Sequence, residues 1–337
     1  LNRGRALLVA SIVISILSIG IIYYLSGMTP SLSAITSIDP LYLLLALALH
    51  LCFLLLWALR IKILSAVTGY SVSLPRAFKI VLVGAFVAAI TPSNIGGEPV
   101  RIKMLKDTDE EITGGEATAI TLTERIIDLI VFLVAAPLLM LVTGLSVTNP
   151  ILVKFLFISL GCMVVGIFLF AVFSVRRDLL ERAVERLRAP LKRLLKDEER
   201  VSELSERLIR NIGSYSDAVV QMFTTRRKVL LASLLPTVLM WLCDMLIPYV
   251  LFLGYGYSVD PVMVITTQVL IVILTLVPIT PGGSGIAEFV FYGFFSSSVP
   301  PGVLPNVILL WRGIVFYLNL VVGGMASIRT VMEGEER

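Results

Sequence analysis

The chain has 337 residues, 57% of them apolar and only 15% charged, with 28 Lys and Arg against 24 Asp and Glu for a net charge of +4. A soluble domain carries roughly 25% charged residues, so this deficit and the long apolar runs exclude a soluble enzyme, a disordered regulator and a fibre. The excess of positive charge is small and scattered, which argues against a nucleic-acid partner and leaves an all-α polytopic membrane protein.

A helix needs about 20 apolar residues to cross a hydrocarbon core of roughly 30 Å. In chain order the expected spans are Ala6–Leu25, Leu41–Leu59, Glu116–Val142, Ile151–Phe173, Val229–Leu253 and Val307–Ile328. The first is too long for the apolar region of a signal peptide, and no small-residue cleavage site follows it.

Two further apolar runs are interrupted. Ala77–Ile90 stops at Thr91-Pro92-Ser93-Asn94-Ile95-Gly96-Gly97-Glu98-Pro99 and resumes from Val100 to Leu105. Val262–Ile279 stops at Thr280-Pro281-Gly282-Gly283-Ser284-Gly285 and resumes from Ile286 to Ser297. Proline removes an amide donor and glycine loosens the backbone, so neither helix continues through its break. Irregular backbone at membrane depth persists only where protein or a water-filled cavity satisfies it.

Orientation follows from the basic residues. With a cytoplasmic N-terminus, the segments on the inner side hold 25 of the 28 Lys and Arg, including the C-terminal tail, whereas the connections 26–40, 144–150, 254–261 and 299–305 hold none. The first interrupted unit then begins and ends inside, and the second begins and ends outside. Both are expected to be re-entrant hairpins, entering from opposite faces of a cell membrane. Each is preceded by a helix with a Trp and an ionisable residue three positions on (Trp57 and Arg60, Trp241 and Asp244). Each is followed by a helix with an arginine, Arg125 at 33 residues after Pro92 and Arg312 at 31 after Pro281. The pattern predicts six spanning helices plus two hairpins in an inverted repeat, 41–143 and 229–328, an architecture that sites a substrate near the bilayer midplane. Residues 174–228 hold 23 of the 52 charges and are expected to form a cytoplasmic amphipathic helical segment, solvated on one face. Arg176, Arg177, Arg226, Arg227 and Lys228 flank spans there, suited to anionic headgroups.

Ionisable residues inside spans cost about 2.5–3.5 kcal/mol each on insertion scales and are functional candidates by default. Asp244 and Arg312 lie at similar depth and are expected to pair. Arg60 is expected to face Glu124, Arg125 and Asp128. At the hairpin tips the candidates are Asn94, Gly96, Gly97, Glu98 and Arg101 on one side and Gly282, Gly283, Ser284 and Glu288 on the other. The amides that open the helix after Gly283 offer an anion site. Arg101, Arg125 and Arg312 are suited to a phosphate, and Glu98, Glu288 and Asp244 to an amine or an exchanging proton. A simpler role, locking helices or capping local backbone, is open to the same residues.

Cys52, Cys162 and Cys243 stand in apolar runs at no metal-ligand spacing, and the one histidine, His50, makes no catalytic or metal site alone. No Gly-x-x-x-x-Gly-Lys pattern exists, so no nucleotide cofactor or driving force is expected.

The residues Thr91 to Arg101 and Pro281 to Glu288, with Glu124, Arg125 and Asp128 after the first break, resemble the flippase-like transmembrane family named for the membrane region of bacterial lysylphosphatidylglycerol synthetases. The resemblance spans nearly the whole chain. It implies movement of an aminoacylated, glycosylated or isoprenoid-phosphate lipid between leaflets, with the hairpin tips and their charged neighbours forming the cavity. The synthetases carry a soluble aminoacyl-transfer domain after the membrane region and this chain stops at Arg337, so transfer without synthesis is the expectation. The expected partner is a membrane lipid, no catalytic residue or metal is expected, and a homo-oligomer is left open. The rival readings are an integral-membrane enzyme acting on a lipid-linked substrate and a gradient-driven transporter of small solutes.

Overall fold

A computed structural model describes residues 2–91, 96–108, 112–144, 150–195, 198–276, 280 and 282–335. Among these every regular element is a helix: α1 Asn2–Leu25, α2 Leu32–Thr36, α3 Pro40–Ser65, α4 Leu74–Ala89, α5 Gly97–Lys106, α6 Gly114–Thr143, α7 Pro150–Val175, α8 Arg177–Leu195, α9 Glu198–Phe223, α10 Arg227–Gly254, α11 Pro261–Thr275, α12 Ile286–Phe295, α13 Leu304–Arg312 and α14 Leu318–Glu335. A π-helical turn, Gly313–Tyr317, joins the last two into one rod.

Six of these rods are long and apolar enough to cross a membrane, at Leu8–Leu25, Pro40–Thr68, Gly114–Thr143, Leu156–Val175, Arg227–Gly254 and Leu304–Thr330. They coincide with the six expected spans. The chain is an all-α, multi-pass membrane protein.

Local chemistry sets the helix ends. Asp39 accepts the Leu41 amide at 2.9 Å with Pro40 in the first turn, and Asp260 does the same for Val262 ahead of α11. Thr113 and Glu116 form a reciprocal capping box at the start of α6. Side chains such as Leu41, Leu44, Leu51, Phe157, Phe168 and Leu235 are exposed, as lipid-facing positions must be.

In each interrupted unit the two short helices pack against one another. In the first, Gly97 at the start of α5 lies so close to α4 that a Cβ there would stand 2.8 Å from the Gly84 carbonyl oxygen. In the second, α11 and α12 pack together, and Gly282, Gly283 and Gly285 all carry positive φ between them (59°, 65° and 89°), a backbone region open to glycine at little cost. At 16, 10, 15 and 10 residues, α4, α5, α11 and α12 are each too short to span. The breaks also touch each other: the Gly282 amide donates to the Thr91 carbonyl at 3.3 Å, and a Cβ on Gly282 would lie 2.7 Å from the Ala89 oxygen. Asn94, Pro92 and Pro281, on which the reading of the breaks relied, fall outside the described residues.

The charged segment pairs α8 with α9, and α9 docks on the start of α6, where Gly115 faces the Asn211 carbonyl with no room for a side chain. Ser174 and Tyr215 share a hydrogen bond of 2.8 Å that ties the end of α7 to α9. Its charges face outward in pairs one turn apart, Arg182 with Asp178 and Arg207 with Glu203, and Arg176, Arg177, Arg226, Arg227 and Lys228 are exposed.

Candidate functional site

Where the two breaks meet, the helices enclose a cavity of about 240 Å³. Both halves of the chain contribute. From the first come Trp57 and Arg60 on α3, Gly97, Glu98 and Arg101 on α5, and Arg125 and Asp128 on α6. From the second come Trp241 and Asp244 on α10, Gln268 on α11, Gly282, and Arg312 on α13. Residues 220 or more positions apart in sequence thus share one wall.

The first half binds its charges into a closed network. Arg60, only 1% exposed, donates from Nε to Glu124 at 2.9 Å and from one terminal nitrogen to Asp128 at 2.6 Å. Arg101 reaches the other Glu124 oxygen at 2.9 Å. Trp241 of the second half donates its indole N–H to Asp128 at 2.8 Å. The geometry follows from helix periodicity, because Glu124 and Asp128 stand one turn apart on one face of α6. Arg125, on a different face, turns away from Arg60 and pairs with Glu98. This differs from the expectation that Arg125 would join the Arg60 group.

The second half is arranged otherwise. Arg312 lies 3.0 Å from Glu288 in a buried ion pair and donates to the Ser284 hydroxyl at 3.1 Å. Its guanidinium sits 4.3 Å over the Phe316 ring, a cation–π contact. Glu288 is fully buried, accepts the Gly285 amide at 2.8 Å, and accepts the Ser15 hydroxyl of α1 at 2.9 Å. The expected pairing of Asp244 with Arg312 therefore does not form: Glu288 takes the guanidinium. One amide at the opening of α12, that of Gly285, is thus met by a carboxylate of the chain itself. Asp244 lines the cavity with no ion-pair or hydrogen-bond partner among the described residues, and its Oδ1 is buried.

Of the residues singled out from sequence, Gly97, Glu98, Arg101, Arg125, Asp128, Asp244, Gly282 and Arg312 line the cavity. Glu124, Ser284 and Glu288 sit behind it and hold its arginines in place. Gly96 and Gly283 shape the breaks, the Gly96 amide donating to the Thr91 hydroxyl at 3.0 Å. Asn94 is outside the described residues.

Several contributors were not singled out. Ser11, Ser15 and Ser18 of α1 are all buried, a polar stripe at helical spacing that the sequence displays inside an otherwise apolar span. Gln268 and Asn319 also line the cavity, and Asn319 meets His50 at 3.1 Å. The indole nitrogens of Trp57 and Trp311 have no hydrogen-bond partner among the described residues, nor has the Gln268 amide nitrogen. Buried polar atoms are almost always satisfied by protein or water, so these three positions are open to hydrogen bonding from within the cavity.

The chain matches the family described as "Lysylphosphatidylglycerol synthase TM region" over residues 8–323. It is 33% identical to a UPF0104 membrane protein of Archaeoglobus fulgidus over 317 residues, 94% of each chain. It is 23% identical to one of Pyrococcus horikoshii across 94% of this chain and 96% of the relative, and 27% identical to one of Methanocaldococcus jannaschii across 94% and 93%. No solved structure matches it.

Proposed function

The chain belongs to the lysylphosphatidylglycerol synthase transmembrane-region family, and on that premise we propose that it moves a polar-headgroup lipid between leaflets without altering it covalently. The headgroup passes through the cavity between the two interrupted units, while the acyl chains remain in the bilayer. The units act as re-entrant hairpins of an inverted repeat in a cell membrane, with both termini cytoplasmic.

The observation that supports this reading most is the contact of the breaks beside a cavity walled by charged residues. Its volume of about 240 Å³ falls below the roughly 300–1,000 Å³ of sites for drug-sized ligands, which suits a headgroup and not a whole lipid. The ion pairs on its wall cost less to desolvate than single charges, and their unfilled hydrogen-bonding positions serve a polar group in transit. Arg125, the most exposed of the four guanidiniums with its side chain 37% accessible, is placed to meet a phosphate when it parts from Glu98.

The test is reconstitution into vesicles of phosphatidylethanolamine and phosphatidylglycerol that carry a trace of headgroup-labelled fluorescent phosphatidylethanolamine. Loss of outer-leaflet label to an impermeant quencher reports movement. The reading expects protein-dependent movement that Glu98→Gln and Arg125→Ala reduce, with the lipid mass unchanged. Absence of movement by folded protein overturns it, a changed lipid mass points to an enzyme, and solute uptake without lipid movement points to a solute transporter.

A further inference from the structure

The charges at the centre can be counted one by one. Four guanidiniums stand at or behind the cavity wall, and each has a carboxylate: Arg60 with Glu124 and Asp128, Arg101 with Glu124, Arg125 with Glu98, and Arg312 with Glu288. Four arginines balance four carboxylates. Asp244 is the fifth carboxylate and has no counter-charge among the described residues.

The elements packed against α10 leave no other group to supply one. From α3 come Arg60, already doubly engaged, together with His50, which meets Asn319, and the free cysteine Cys52. From α6 come Asp128 and Arg125, both paired, and α13 brings Arg312, paired with Glu288. From α11 the cavity receives Gln268, Ile271, Val272 and Thr275, none of them charged, and from α9 it receives no residue at all. Cys243 lies beside Asp244 on α10 itself.

An ionised carboxylate held in a low-dielectric interior without a cation is strongly disfavoured against its neutral form. The Asp244 Oδ1 is buried and has no hydrogen-bond partner among the described residues, so uptake of one proton neutralises the carboxylate without any further side chain.

We infer that Asp244 is a proton-binding site: it takes up one proton from the side to which the cavity is open and releases it as an intact proton to the other. The cavity thereby alternates between neutral and one negative charge, and a proton gradient drives the cycle. The coupling role rests on the transport reading above; the protonation does not.

Two measurements separate these. In the first, an infrared pH titration of the full chain in detergent, the wild type shows a protonated-carboxyl C=O band that disappears as pH rises and shifts in heavy water. Asp244→Asn lacks the titrating band, while Asp244→Glu restores one at a shifted position and serves also if the asparagine variant does not fold. A band that persists in folded Asp244→Asn, or that never titrates in the wild type, overturns the inference.

The second uses the fluorescent-lipid vesicles with an imposed pH difference. Wild-type movement changes with the gradient by up to about tenfold per pH unit, the limit for one proton per cycle, and Asp244→Asn moves lipid at a rate indifferent to it. A gradient response that survives in Asp244→Asn, or is missing from a wild type that does move lipid, overturns the coupling. If the wild type moves no lipid at all, the transport reading fails, and the infrared band alone still decides whether Asp244 carries a proton.

Discussion

The two halves of the chain place a helix with a Trp and an ionisable residue beside an interrupted unit, yet they treat that residue oppositely. On α3, Arg60 is held by two carboxylates of α6 and is 1% exposed. On α10, Asp244 faces the same cavity with no partner among the described residues, and Arg312 is taken by Glu288. In the first half charge is spent on holding helices together. In the second, one carboxylate is left over, and a buried group without a counter-charge persists only at some cost to stability. The contrast teaches that depth in the membrane sets which residues are able to meet, whereas the angular position around each helix decides which do.

Mutations that strand charge test the first side of the contrast and have the largest expected effect. Arg60→Ala leaves Glu124 with Arg101 alone and Asp128 with only the Trp241 indole, a loss of about 3–5 kcal/mol for breaking a buried pair. A thermal melt in detergent should show it as a marked drop or a failure to fold, and an unchanged melt would refute a structural role for the network. Glu288→Ala, which removes one carboxylate while leaving Arg312 its Ser284 and Phe316 contacts, should fall next, short of the Arg60 loss.

Packing at the first break is the next lever. Gly97→Val sets a branched side chain where even a Cβ would stand 2.8 Å from the Gly84 oxygen and 3.1 Å from the Ala88 Cβ. Overpacking of this kind costs about 1–3 kcal/mol, readable in the same melt, and a neutral result would mean that α5 does not pack on α4 as described. The smallest effect sharpens the contrast from its other side. Asp244→Asn removes an unpaired carboxylate without changing shape, so the melt should be unchanged or higher by up to about 1 kcal/mol, where any charged network member would lower it.

The sequence made much of this legible for physical reasons. Hydropathy sets the six spans, because a helix buried in lipid is apolar all round. Glycine marks the second break, because Gly282, Gly283 and Gly285 take up positive φ there. Arg60 and its carboxylates were readable because Glu124 and Asp128 repeat at one turn. What was not readable is azimuth. Arg125 adjoins Glu124 in the chain but points a third of a turn away, toward Glu98, and Arg312 reaches Glu288 of α12 instead of Asp244. Ser15, which completes the Glu288 site, was hidden because a hydroxyl in an apolar span can satisfy itself on its own helix, as Ser11 and Ser18 do.

The central claim is that the two interrupted units enter from opposite faces and meet inside. It is tested most directly by impermeant-maleimide labelling of single cysteines in sealed vesicles, with Cys52, Cys162 and Cys243 replaced by serine or alanine. Asp107, beyond α5, Ser298, beyond α12, and Thr225, in the charged segment, are all exposed. The account predicts that Asp107→Cys and Thr225→Cys label from one side and Ser298→Cys only from the other. Labelling of Asp107→Cys and Ser298→Cys from the same side would contradict it.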